Sequence, residues 1–156
     1  NLKRDIEMKH SGGCHCGQVK FETDLNPMLS MQCNCSSCRR LTGSVNMGMY
    51  YQEDEVKFSG NQVYYEYEGG SGGNMKMGFC PKCYVRVSAR PEILEGVVGM
   101  PLGTFDKAKE VEGLKLEIWT SEKLKFLKDN DCFEMRVEDS GLMERLATLI
   151  ESVENR

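Results

Sequence analysis

Cys33-Asn34-Cys35-Ser36-Ser37-Cys38 places three thiols within six residues. Cys14-His15-Cys16 lies upstream of it and Cys80-Pro81-Lys82-Cys83 downstream, so seven of the eight cysteines fall in three tight clusters. A disulfide framework normally spreads its half-cystines to staple distant loops. Bridges between thiols this close in sequence are strained. Thiolates at C-x-C and C-x-x-C spacing instead converge on one ion, because a tight turn points both sulfurs the same way. Zinc suits such donors. Iron–sulfur clusters use the same donors, but these spacings do not match the ferredoxin runs. Seven thiols do not fill two four-thiolate sites. They do fill one closed site of four and one incomplete site of three, and an open position is what metal chemistry requires.

The 156 residues amount to one domain, with 40% hydrophobic and 28% charged residues, close to the globular average. A net charge of -4 excludes a nucleic-acid binder working through bulk positive charge. The longest uncharged run, Leu25 to Cys38, is too short and too polar to span a bilayer. Asn1 to Lys9 mixes acids and bases without an apolar stretch of signal length. The expectation is a cytoplasmic protein, without membrane or nucleic-acid partners, in a reducing compartment where thiolates stay on metal.

Most of the chain reads as short strands. Gln18–Thr23 alternates after Gly17, Leu29–Gln32 leads into the middle cysteines, and Val45–Tyr51 follows them. Val56–Phe58 and Val63–Tyr67, separated by Ser-Gly-Asn, read as a hairpin. Met75–Phe79 enters the last cysteine turn and Val85–Ala89 leaves it, with further strands at Val97–Met100 and Leu114–Trp119. Gly69–Gly73 reads as a plain surface connection. Leu142, Met143, Leu146, Ala147, Leu149, Ile150 and Val153 recur at helical spacing behind Ser140, a candidate N-cap. This pattern predicts a mainly β, mostly antiparallel domain with a C-terminal amphipathic helix. The helix could dock on its own domain or pair with a second copy in a homodimer. His10 reads as solvated, Tyr64, Tyr65 and Tyr67 as packing residues, and Cys132 as a free thiol.

Ser11-Gly-Gly-Cys-His-Cys-Gly-Gln-Val-Lys-Phe21, Cys33-Asn-Cys-Ser-Ser-Cys-Arg-Arg40, Phe79-Cys-Pro-Lys-Cys83 and Gly103-Thr-Phe-Asp106 together resemble the glutathione-dependent formaldehyde-activating enzyme family. That family includes centromere protein V and has the Mss4-like fold. The resemblance spans residues 10–130 and leaves 131–156 as an extension carrying the helix. It implies antiparallel sheets stapled by a four-cysteine zinc site of Cys14, Cys16, Cys80 and Cys83. It also implies a second, catalytic zinc on Cys33, Cys35 and Cys38. The implied activity is a carbon–sulfur lyase that reversibly joins formaldehyde to glutathione, giving S-hydroxymethylglutathione. Two positions depart from the family pattern: Asn34 stands where the family often has His, and Tyr84 where Gly usually follows the last pair. Gly there would ease a turn with positive φ, so Tyr84 predicts an altered or strained turn.

A divalent ion with three thiolates already carries net negative charge and suits a fourth thiolate better than a hydroxide. A thiol bound there loses its proton near neutral pH and stays nucleophilic. Arg39 and Arg40, directly after the third ligand, are candidates to pair with a glutathione carboxylate. His15 lies between two ligands but is expected to point away from the metal. The alternatives are a non-catalytic zinc-stabilised binding module and a zinc hydrolase acting on an imine-type carbon.

Overall fold

The computed structural model describes residues 9–70, 72–113 and 115–155. Its strands are β1 (His10–Gly13), β2 (Lys20–Thr23), β3 (Leu29–Cys33), β4 (Asn46–Gln52), β5 (Lys57–Ser59), β6 (Val63–Glu68), β7 (Asn74–Phe79), β8 (Arg86–Pro91), β9 (Val97–Pro101), β10 (Leu116–Ile118) and β11 (Met135–Arg136). The described residues also form two α-helices, α1 (Ser36–Thr42) and α2 (Leu142–Glu154), and five single-turn 3-10 helices. The strands form a three-stranded sheet ordered β1-β2-β5 and an eight-stranded sheet ordered β11-β10-β3-β4-β9-β8-β7-β6. The fold is mainly β, as expected. It is mixed rather than antiparallel throughout, because β10 pairs in parallel with both β3 and β11.

Strand periodicity explains the core. β4 is central, and its side chains alternate between the two faces of the large sheet. Met49 and Tyr51 join Phe21 of β2, Val98 and Met100 of β9, and Phe105 in one cluster between the sheets. Tyr50 falls on the opposite face with Leu29, Met31 and Cys33 of β3, Leu116 and Ile118 of β10, and Leu149 of α2. Cys33 therefore sits at the end of a row (Leu29, Met31, Cys33) that a two-residue period commits to one face.

Val56–Phe58 and Val63–Tyr67 are not a hairpin. β5 pairs with β2 and β6 pairs with β7, so the Ser-Gly-Asn segment carries the chain from one sheet to the other. Gly60 makes the passage possible: its φ is +87°, and a Cβ there would stand 2.2 Å from the carbonyl oxygen of Gln18. The hairpin is instead β6–β7, turned by the segment 69–73, of which Ser71 lies outside the described residues. Leu114, the expected start of β10, lies outside them too.

The C-terminal segment is stitched to the sheet. Val137 N donates to Glu117 O at 2.9 Å, Trp119 N to Asp139 O at 2.9 Å, and Thr120 N to Val137 O at 3.1 Å. α2 begins after Gly141 rather than at a Ser140 cap. Its rotation also differs from the expected stripe. Arg145 and Leu149 are buried, while Met143, Ile150 and Val153 are exposed. His10 is buried rather than solvated; its Nε2 lies 3.0 Å from Asn26 Oδ1 and its ring stands edge-on to Phe105. Among the described residues no helix is long and apolar enough to cross a membrane.

Candidate metal centre and cavity

The outer cysteine clusters meet across the two sheets. Cys14 and Cys16 lie on the turn from β1 to β2, and Cys80 and Cys83 on the turn from β7 to β8. Their four sulfurs all lie within 4.8 Å of one another. Cys14 Sγ is 3.6 Å from Cys16 Sγ, which is 3.7 Å from Cys80 Sγ. A tetrahedral ion at ~2.3 Å from each thiolate gives sulfur–sulfur edges of ~3.8 Å, so the spacing fits a closed four-thiolate metal site.

The two turns use the same devices. Cys14 Sγ accepts from Val19 N at 3.3 Å, and Cys80 Sγ accepts from Lys82 N at 3.4 Å and Cys83 N at 3.5 Å. Burial pushes the Cys14 thiol up, but the Val19 N–H and the neighbouring thiols outweigh it and hold Cys14 below the ordinary thiol range. Backbone N–H groups, that of Val85 first, hold Cys83 down to about 6. Each turn ends in a left-handed residue, Gly17 (φ 80°) and Tyr84 (φ 59°). Tyr84 thus takes the conformation a glycine would, with its side chain 72% exposed and little packed against it to repay the strain. Tyr84→Gly is expected to raise stability by about 1 kcal/mol. A denaturant midpoint that does not rise would count against strain at this turn.

The middle cluster forms a second convergence. Cys33 ends β3, Cys35 N-caps α1, and Cys38 lies in the first turns of that helix. Their sulfurs also lie within 4.8 Å of one another and could hold a metal ion. Cys35 Sγ accepts from Cys38 N at 3.3 Å. With thiol contacts from Cys33 and Cys38, this holds Cys35 far below the ordinary thiol range. Those contacts push Cys33 and Cys38 upward in turn. Without a cation the trio shares one negative charge and resists losing further protons. A metal cation is the natural replacement for those protons.

Asn34 points away from the sulfurs. It accepts from Gln32 Nε2 at 3.1 Å and donates to Glu117 Oε1 at 3.2 Å and to the Ile118 carbonyl at 3.1 Å. Glu117 is fully buried, with Lys123 Nζ 2.9 Å from Oε1 and Arg136 Nε 3.5 Å from Oε2. The cysteine loop is therefore tied through Asn34 to a buried carboxylate that faces two cations. Glu117→Gln takes the carboxylate from Arg136 and leaves Lys123 with Asp129 alone, 2.8 Å away, and the expected cost is about 2 kcal/mol. A thermal scan showing an unchanged midpoint would contradict that coupling.

The trio opens on a cavity of about 340 Å³. Its wall includes Cys33, Cys35 and Cys38, the polar residues Ser36, Ser37, Asn46, Tyr50 and Tyr67, and the apolar Met31, Met75, Met77, Ile93, Ile118 and Trp119. Burial first, and then the neighbouring Cys38, pushes Tyr50 and Tyr67 up to about 12, so both phenols keep their protons. Gly69, Gly70 and Gly73 line the same space, so the glycine segment is more than a surface connection. Tyr67 also lines it, whereas Tyr64 and Tyr65 are exposed on β6.

The seven clustered cysteines are thus gathered as four and three. Arg39 and Arg40 stand in the last turn of α1, half-buried and exposed, and neither lines the cavity. His15 and Cys132 are exposed. Trp119, Glu122 and Arg145 are among the wall residues that were not singled out from sequence. Trp119 carried one signal, being the single tryptophan of the chain. It adopts a left-handed backbone (φ 56°) beside the site, a conformation that costs energy in a bulky residue.

Among solved structures, the chain is similar to the crystal structure of a Rhodobacter sphaeroides protein from the Northeast Structural Genomics effort. The identity is 24% and the TM-score 0.48, over 62% of this chain and 88% of that one. The family model for glutathione-dependent formaldehyde-activating enzymes matches residues 9–122, a span that contains both cysteine sets and the turns that present them. By that match the chain belongs to the glutathione-dependent formaldehyde-activating enzyme family.

Proposed function

We propose that the protein is a zinc-dependent carbon–sulfur lyase that reversibly adds a small aldehyde, formaldehyde in the simplest case, to glutathione or a similar thiol. The single observation that carries this reading is the asymmetry of the two cysteine sets. The four outer sulfurs cluster at a junction of two sheets with no cavity beside them among those described, whereas the three inner ones line a cavity. Cys14, Cys16, Cys80 and Cys83 would hold a structural zinc, and Cys33, Cys35 and Cys38 a second. When bound at the trio, zinc would supply the Lewis acidity that lets a substrate thiol give up its proton near neutral pH.

The chain's own residues account for the remaining requirements. The apolar wall of Met31, Met75, Met77 and Ile118 keeps water from competing with the sulfur for the aldehyde. Addition makes one carbon–sulfur bond, converts the carbonyl to an alkoxide and moves one proton from sulfur to oxygen, with no change of oxidation state. Tyr67, Ser36 and Ser37 line the same cavity as the trio and carry hydroxyls, and Tyr67 stays protonated across the neutral range. They serve as donors to the alkoxide. The uncatalysed addition is already feasible, so holding sulfur and carbonyl in line supplies most of what is needed.

The test is exchange spectroscopy on an equilibrium mixture of formaldehyde and glutathione with the metal-loaded protein. Faster exchange between free and hydroxymethylated glutathione than in buffer is expected. No acceleration with both cysteine sets loaded would instead leave a zinc-stabilised binding module.

A further inference from the structure

The family match ends at residue 122, yet the cavity wall continues into the C-terminal helix through Arg145. The rotation of α2 is unusual. An amphipathic helix buries its apolar stripe, but here Met143 and Ile150 are 73% and 61% exposed while Arg145 is 9% exposed. Departures from the local pattern of this kind concentrate at functional sites. The position is also anchored: the backbone bonds of Val137 and Asp139 to β10 and its following turn hold the start of the helix, and Leu149, one turn on, is buried against Leu29 and Ile118. Among the described lining residues Arg145 is the one cation and Glu122 the one carboxylate, in a wall otherwise of cysteines, hydroxyl residues, the amide residue Asn46 and apolar groups.

We infer that Arg145 is the anion anchor of this cavity: it takes a carboxylate of the substrate and thereby selects carboxylate-bearing thiols and their aldehyde adducts over neutral ones. A guanidinium presents a planar fork that matches a carboxylate with two hydrogen bonds. Apolar surroundings strengthen that pair relative to water. The segment beyond the family core then acts as a specificity element, added to chemistry that resides within residues 9–122. This deepens the proposed lyase reading and rests on it for the identity of the thiol.

Trp119 makes the test direct, because the only tryptophan of the chain lines the cavity. Its emission is followed while the full, metal-loaded chain is titrated with hexanoate and, separately, with hexanamide, an uncharged counterpart of similar size. Hexanoate is expected to bind about ten- to a hundredfold more tightly than hexanamide. Arg145→Gln is expected to bring hexanoate down to the hexanamide level and leave hexanamide unchanged. Equal binding of the two probes to the wild type, no binding of hexanoate, or equal losses of both in Arg145→Gln would each overturn the inference. Cys35→Ser, which lacks the full ligand set of the trio, keeps the comparison decisive even if Arg145→Gln fails to fold: hexanoate is expected to outbind hexanamide there too, and equal binding of the two would show that the preference came from a metal and would overturn the inference. Hexanoate has no sulfur, so the two proposals fail separately. Charge discrimination without accelerated thiol–aldehyde exchange removes the lyase reading, and accelerated exchange without discrimination removes the anchor.

Discussion

Cys80→Ser is expected to leave a chain that does not fold. Cys80 has no exposed surface and joins the β7–β8 turn to the β1–β2 turn, so the four-sulfur cluster links strands of both sheets. The apolar cluster around it is small, with Cys14, Val19, Cys80 and Val87 buried and Val85 partly so. Packing at this junction is therefore too small to stand in for a metal held by the four thiolates. Apparent binding energies of structural zinc are about 10–16 kcal/mol, against a total stability of ~5–15 kcal/mol for a domain. A serine hydroxyl does not ionise to a comparable ligand, so most of that contribution disappears. Circular dichroism of the variant should show loss of cooperative unfolding, and stripping the wild-type chain with a strong chelator should give the same trace. Cys132→Ser is the control: the residue is exposed, and the expected change is within about 0.5 kcal/mol. A Cys80→Ser chain that melts at the wild-type temperature would show that the sheets hold together without this cluster.

The parts of the molecule that could be read from sequence are those whose causes are local. Metal-ligand spacing within a turn depends on a few adjacent residues, so the cysteine clusters were legible. The same is true of β7 and β8, where apolar residues recur at every second position: Met75, Met77 and Phe79 in β7, Val87 and Ala89 in β8. β1 was not legible, because His10-Ser-Gly-Gly13 carries no hydrophobic alternation and owes its strand geometry to pairing with β2. α1 spans seven residues with none buried, too short for a helical stripe. The false hairpin at residues 56–67 shows where turn chemistry misleads. Ser59-Gly60-Asn61 has the composition of a tight turn, but Gly60 is needed for close approach to Gln18, and the strands on either side join different sheets. Strand direction has no local code either, so the parallel pairing of β10 with β3 and β11 could not be read in advance.

The cavity depended on non-local facts throughout. Arg39 and Arg40 attracted notice because they follow Cys38 in sequence, yet a helix turns about 100° per residue, and α1 places neither on the cavity wall. Arg145 is more than one hundred residues from the trio and sits in a stretch whose apolar pattern argued for a different buried face. Its placement follows from the β10–β11 pairing and the bonds of residues 137–139, which fix where α2 starts.

Cys35→Ser is expected to do the opposite of Cys80→Ser: abolish accelerated thiol–aldehyde exchange while leaving the fold intact. The three sulfurs of the trio come from six consecutive residues, so they tie no distant strands together. Cys35 is only partly buried, and its structural task is to cap α1 by accepting from Cys38 N. Serine is a better N-cap than most residues and keeps that bond. Stability should therefore change by no more than ~1 kcal/mol. The ligand set loses the sulfur that is most strongly held as thiolate, leaving two donors where three converged. Metal content is expected to fall from two ions per chain to one, and exchange to return to the buffer rate. Both are measurable on one sample, by elemental analysis and by exchange spectroscopy. Retained exchange would place the chemistry elsewhere. Loss of the folded state together with the second ion would make the trio a structural site, and the chain would then be a binding module built on two metals.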